Sequence, residues 1–106
     1  MTPTEIDCAR LVKDVINALL RHCETLCTKR AKTVMVKTEH IATLLEMEGD
    51  RTSHTMIGQV LRDLMHYLRN CGIDIIIRGV SNRRKYVLQC KDLKRIRELL
   101  EEYLKS

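Results

Sequence analysis

The sequence predicts an α+β fold, mostly helical, with elements in the order α–β–α–α–β–β–α. Apolar residues recur at helical spacing in four segments. β-Branched residues concentrate in short runs, one after the first helix and others either side of the turn Gly79-Val80-Ser81-Asn82-Arg83-Arg84. Only four Gly and one Pro occur in 106 residues, which leaves little chain for irregular loops. That length, residues 1–106, is one domain's worth. Folding a chain of 12.4 kDa removes about two-thirds of its surface from water, enough for a core without metal or disulfide staples.

The first helix opens on a capping box, with Thr2 as cap, Pro3 at the first helical position and Glu5 three residues after the cap. Ile6, Ala9, Val12, Val15, Ile16, Leu19, Leu20, Cys23, Leu26 and Cys27 then mark an apolar stripe to about Thr28, broadened by Leu11. Such a stripe is wide for a monomer of this size, so part of it is expected to face a partner. A basic connector follows, then the β-prone run Thr33-Val34-Met35-Val36. Thr38 is the expected cap of a second helix that runs to about Met47, with Ile41, Leu44 and Leu45 inward. Glu48 to Thr52 is a turn. Ser53 is expected to cap a third helix reaching Asn70, with Ile57, Val60, Leu61, Leu64 and Leu68 inward and Thr55, Gly58, Gln59, Arg62 and His66 along the opposite face. Gly72 stops it. Residues 73–78 and 85–90 read as two strands, and an amphipathic helix from about Asp92 to Leu104 ends the chain, with Leu93, Ile96, Leu100 and Tyr103 on its seam.

The net charge is +5, and the excess sits in two short stretches: Lys29, Arg30, Lys32 and Lys37, then Arg78, Arg83, Arg84 and Lys85. Cations clustered on loops repel one another unless a polyanion answers them. Absence of Trp and Phe, with three Tyr, argues against a single-strand binder, which stacks bases on aromatic side chains. No apolar run approaches the roughly 18 residues of a membrane span, and Met1 to Glu5 lack the pattern of a secretory signal; an intracellular, cytoplasmic protein is expected. Five cysteines leave one unpaired in a monomer. Cys8, Cys23 and Cys27 read as small buried apolar residues; a Cys71–Cys90 disulfide is conceivable, since both flank the predicted hairpin.

The run Val34-Met35-Val36-Lys37-Thr38-Glu39-His40-Ile41-Ala42-Thr43-Leu44-Leu45, a short strand leading into a helix, resembles the winged helix-turn-helix family. The resemblance continues through Ile57-Gly58-Gln59-Val60-Leu61-Arg62-Asp63-Leu64, similar to a recognition helix, and through Ile73 to Val87, similar to strand, wing and strand. It covers about residues 6–90 and rests on element order. Small archaeal-type regulators share this layout. The turn at Glu48–Thr52 is longer than in the tightest helix-turn-helix pairs. The resemblance implies that helix 53–70 enters the major groove of double-stranded DNA, and that the long first helix (1–28) and the last helix (92–105) form a homodimer.

Chemistry at these positions fits that expectation. Ser53, His54 and Thr55 stand where free backbone N–H groups and the helix dipole attract phosphate. Gln59 can address adenine and Arg62 guanine by paired hydrogen bonds, while Gly58 lets the helix approach closely and His66 extends the same face. In the wing, Arg78, Ser81, Asn82, Arg83, Arg84 and Lys85 would track phosphates or reach a minor groove. Lys29, Arg30, Lys32 and Lys37 could hold the flanking backbone. The acidic second helix (Glu39, Glu46, Glu48, with Asp50) must then turn its carboxylates away from the duplex. No Gly-rich phosphate loop, Ser/His/Asp order or paired-His motif is present, so the expectation is a nucleoid-associated transcription regulator, not an enzyme, with no cofactor, metal, membrane or small-molecule partner. The alternative is a winged-helix adaptor that binds proteins in a replication, transcription or membrane-remodelling complex.

Overall fold

A computed structural model describes residues 3–47, 49–80 and 83–105, with side chains from Ala9 onward. The order is α1 (Pro3–Thr28), β1 (Thr33–Lys37), α2 (Thr38–Leu44), α3 (Arg51–Asn70), β2 (Ile76–Arg78), β3 (Lys85–Gln89), a 3-10 turn (Cys90–Asp92) and α4 (Leu93–Lys105). The chain is therefore α+β and mostly helical, with one small sheet. The strands are antiparallel in the order β1-β3-β2, with β3 in the middle. Val36 lies opposite Tyr86, which lies opposite Ile77. Alternation puts Val34, Val36, Tyr86 and Leu88 on the face covered by the helices, and all four are buried.

The helical stripes supply the rest of the core. Leu11, Val15, Ile16, Leu19 and Cys23 of α1 are buried, together with Ile41 and Ala42 of α2 and Ile57, Leu61, Leu64, Met65 and Leu68 of α3. Ile96 and Leu100 seat α4. Tyr67 and Tyr103 pack edge to face at 4.8 Å between α3 and α4, and Arg97 of α4 pairs with Glu24 of α1. Within the α1 stripe, Leu11, Val15, Ile16, Leu19 and Cys23 are covered by the chain itself, while Val12, Leu20 and Leu26 are half-buried. Leu44, expected to point inward, is exposed. Among the described residues no helix is long and apolar enough to cross a membrane.

Helix ends depart from the sequence reading for identifiable reasons. Thr2 of the expected capping box lies outside the described residues. α2 starts directly after Lys37, so Thr38 is its first residue and not its cap. It stops at Leu44 because Glu46 turns left-handed (φ 58°), which lets the Met47 N–H donate to the Ala42 carbonyl at 2.8 Å and the Glu46 N–H to that of Thr43 at 3.1 Å. α3 begins two residues before Ser53, because the Asp50 carboxylate accepts from the Thr52 N–H at 3.1 Å. Gly72 ends it with φ 95°, its N–H on the Arg69 carbonyl and that of Ile73 on Leu68.

The disulfide also differs. Cys27 joins Cys90 across 63 residues, while Cys23 and Cys71 are free. The register explains the choice. Thr33 faces Gln89, so Cys90 arrives beside Lys32, whose carbonyl accepts its N–H at 2.9 Å, next to the end of α1. Cys71 lies instead at the end of α3. Burial pushes the Cys23 thiol up to about 12, which leaves it unreactive.

Candidate nucleic-acid interface

An open hollow of about 830 Å³ runs along the polar face of α3. Arg51, His54, Thr55, Gly58, Gln59 and Arg62 line one side, which spacing of three and four residues places on a single face. Arg84, which precedes β3, and Tyr86 of β3 line the hollow as well, with Thr38 and the Gly49-Asp50 turn. A smaller hollow of about 240 Å³ adjoins it and shares Thr38, His54 and Arg84. Lys37, Arg83, Lys85 and Glu39 complete its lining. The structure thus brings together His54, Thr55, Gly58, Gln59, Arg62, Arg83, Arg84, Lys85 and Lys37 of the expected contacts.

Others fall elsewhere. Ser53 turns its hydroxyl onto the Asp50 carboxylate at 2.6 Å and lines neither hollow. His66 is exposed, one turn beyond Arg62. Arg78 is exposed but stands opposite Lys85, which stands opposite Lys37, so the three cations form one rung across the sheet. Lys29, Arg30 and Lys32 precede β1, at the end of the sheet away from Lys37. The basic connector is therefore split, and only Lys37 reaches the hollows. Ser81 and Asn82 lie outside the described residues, as does Glu48.

Acidic groups were expected to turn away, and two do not. Asp50 lines the larger hollow and occupies the N-terminus of α3, the place a phosphate was expected to take. The Ser53 hydroxyl, then the backbone N–H groups of Ser53 and Thr52, hold its carboxyl below the usual range. Glu39 borders the smaller hollow, 3.6 Å from the Lys37 ammonium and mostly exposed.

Arg84 is the most constrained cation of the set. Its residue is half-buried, and among the described residues its Nε is shielded from solvent without a hydrogen-bond partner. A buried donor left unmatched costs about 1–3 kcal/mol. Gly79, just after β2, needs to be glycine: φ is 79°, and a Cβ there would stand 2.5 Å from the Arg83 carbonyl oxygen.

Sequence reasoning missed Arg51, Asp50, Thr38 and Tyr86. The first two were assigned to a turn, yet Arg51 lies four residues before Thr55 on the same line, and Asp-Arg-Thr-Ser is a helix-start signal that Asp50 can head as well as Ser53. No three His, Cys, Asp or Glu residues form a metal-ligating cluster among the described residues. No protein-family model, curated protein or solved structure matches the chain.

Proposed function

We propose that this chain is a winged helix-turn-helix protein that binds double-stranded DNA and regulates transcription, with α3 in the major groove and the 79–84 wing on the flanking backbone or minor groove. One observation carries the reading: the polar face of α3 and the arginine at the wing root line the same open hollow. Gln59 and Arg62 supply base-edge chemistry there. Arg51, Arg83, Arg84, Lys85 and Lys37 supply phosphate contacts around it. Two chains pairing through α1 and α4 would set two α3 helices about 34 Å apart, one turn of the duplex.

Titration with a random duplex at low salt is the first test; no binding at tens of micromolar overturns the proposal, since nonspecific affinities fall at about 10⁻⁴–10⁻⁶ M even at physiological salt. Arg83→Ala with Arg84→Ala should weaken all sequences alike and flatten the salt slope by about 2. Gln59→Ala or Arg62→Ala should instead relax base preference in a selection from random DNA.

A second observation favours the adaptor reading. The outer face of the sheet bears an apolar rung, Met35 opposite Val87 opposite Ile76, with Met35 42% and Ile76 48% exposed. Beside it runs the cationic rung of Lys37, Lys85 and Arg78. This pairing suits an acidic amphipathic protein segment. If the chain captures an acidic amphipathic peptide, Met35→Ser with Ile76→Ser abolishes that capture, and no duplex binds at tens of micromolar, the adaptor reading holds and the DNA reading falls.

A further inference from the structure

β1 is an edge strand, paired with β3 on one side only. Residues two apart on a strand present their backbone groups to the same edge. On the free edge of β1 those groups are taken by two imidazoles. His22 of α1 brings Nε2 to 3.0 Å from the Met35 carbonyl oxygen, and the Lys37 N–H donates to His40 Nδ1 of α2 at 3.3 Å. The two rings stack, with centroids 4.8 Å apart and planes at 30°. The Met35 carbonyl and the Lys37 N–H flank Val36, and they are the pair that a parallel strand laid beside Val36 would engage. The histidines stand in for that strand. Their partners fix the tautomers: a carbonyl only accepts, so His22 carries hydrogen on Nε2, and an amide N–H only donates, so His40 Nδ1 is bare.

We propose that His22 and His40 form an acid-released latch, which clips α1 and α2 to the free edge of β1 and so holds Lys37 and Thr38 in place at the hollows. Protonating His40 puts a hydrogen on Nδ1, where it faces the Lys37 N–H and can no longer accept. Charging His40 also sets a positive charge against the stacked His22 ring and beside the Lys37 ammonium, both of which oppose it. The groups facing His40 come from every neighbouring element. Burial, His22 on α1 and Lys37 on β1 oppose its charging, while Glu39 on α2 and the Met35 carbonyl favour it; burial and His22 prevail, and its pKa lies below the ordinary value. The neutral, latched form is therefore the state at neutral pH, and acidification releases it. The consequence for binding rests on the duplex reading above; the latch itself does not.

The test is amide hydrogen exchange with a histidine ring titration by NMR on the full chain without DNA, between about pH 7.5 and pH 5.5. Protection at Lys37, corrected for intrinsic rates, should be lost progressively on acidification, because a ring whose folded pKa is lowered favours the folded contact only while it is neutral. The Leu64 amide, deep in α3, should hold. His22→Gln keeps a donor near the Nε2 position and His40→Asn keeps an acceptor near the Nδ1 position, and neither titrates. Together they should abolish the acid loss at Lys37. A His40 that titrates at or above its ordinary value with steady Lys37 protection overturns the latch. So does a double variant that loses protection as the wild type does, and the wild-type titration decides the matter if that variant fails to fold. Duplex titration at both pH values separates the two ideas. A working latch with no DNA binding sinks only the duplex reading; DNA binding with pH-independent exchange sinks only the latch.

Discussion

Gly58 occupies the middle of a 20-residue helix, where glycine is about 1 kcal/mol less favourable than alanine. Packing does not demand it. A Cβ built there would meet Thr38 Oγ1 at 3.5 Å and Cγ2 at 3.7 Å, ordinary contact distances. Gly58 instead lines the larger hollow, where a methyl would add bulk to the polar face of α3. Gly58→Ala should therefore raise the unfolding free energy by about 0.5–1 kcal/mol in urea denaturation, while weakening duplex binding in the same preparation. A stabilised variant with unchanged affinity would take α3 out of the binding surface. Glu46 shows the reverse strain, with φ 58° at the stop of α2 and no role in either hollow. Left-handed backbone costs a residue with a Cβ about 1–2 kcal/mol, so Glu46→Gly should stabilise the fold by about 1 kcal/mol on the same measurement.

Elements were legible in the sequence wherever a period decided them. The apolar lines of α3, α4 and, from Leu11 onward, α1 form the core or pack against it, because 3.6-residue spacing leaves one inward face, while Ala9 of the expected line is exposed. The second predicted strand was legible only in part: Ile73 and Ile75 are buried, yet pairing starts at Ile76. The ladder ends where Asp74 meets Gln89 by side chains, Gln89 Nε2 donating to Asp74 Oδ2 at 3.2 Å. Cap positions were ambiguous because Asp50 and Ser53 are both good caps, and only the folded turn decides between them. The Cys27–Cys90 link was beyond local reading, since it depends on which residue β1 lays beside the end of β3. That link closes a loop of 63 residues between α1 and the sheet, for which the chain-entropy model gives about 4 kcal/mol. Cys27→Ala with Cys90→Ala should lose about that much stability by urea denaturation. The wild type should lose the same under reductant, while the reduced double variant should not shift.

At the scale of the molecule, the longest dimension is 43 Å, close to the roughly 39 Å of a straight 26-residue helix such as α1. The molecule's exposed area of 7298 Å² exceeds the roughly 6,100 Å² expected of a compact chain of this mass, as an elongated body requires. Positive charge is not spread evenly over this surface. Lys37, Arg51, Arg62, Arg83, Arg84 and Lys85 gather around the two adjoining hollows, whereas Lys29, Arg30 and Lys32 sit at the other end of β1. Asp50 and Glu39 offset part of the gathered charge. If the gathered cations each neutralise a phosphate, there are six contacts before that offset and about four after it. Each contact contributes about −0.9 to the slope of log affinity against log salt. One chain on a short duplex should thus show a slope of about −4 to −5 by fluorescence anisotropy between about 50 and 200 mM salt. Two chains engaging one site through the proposed α1–α4 pairing should double it, to about −8 to −10, without altering the contribution of either copy. A slope shallower than about −2 would mean that the clustered cations do not meet phosphate, and the duplex reading would lose its electrostatic basis.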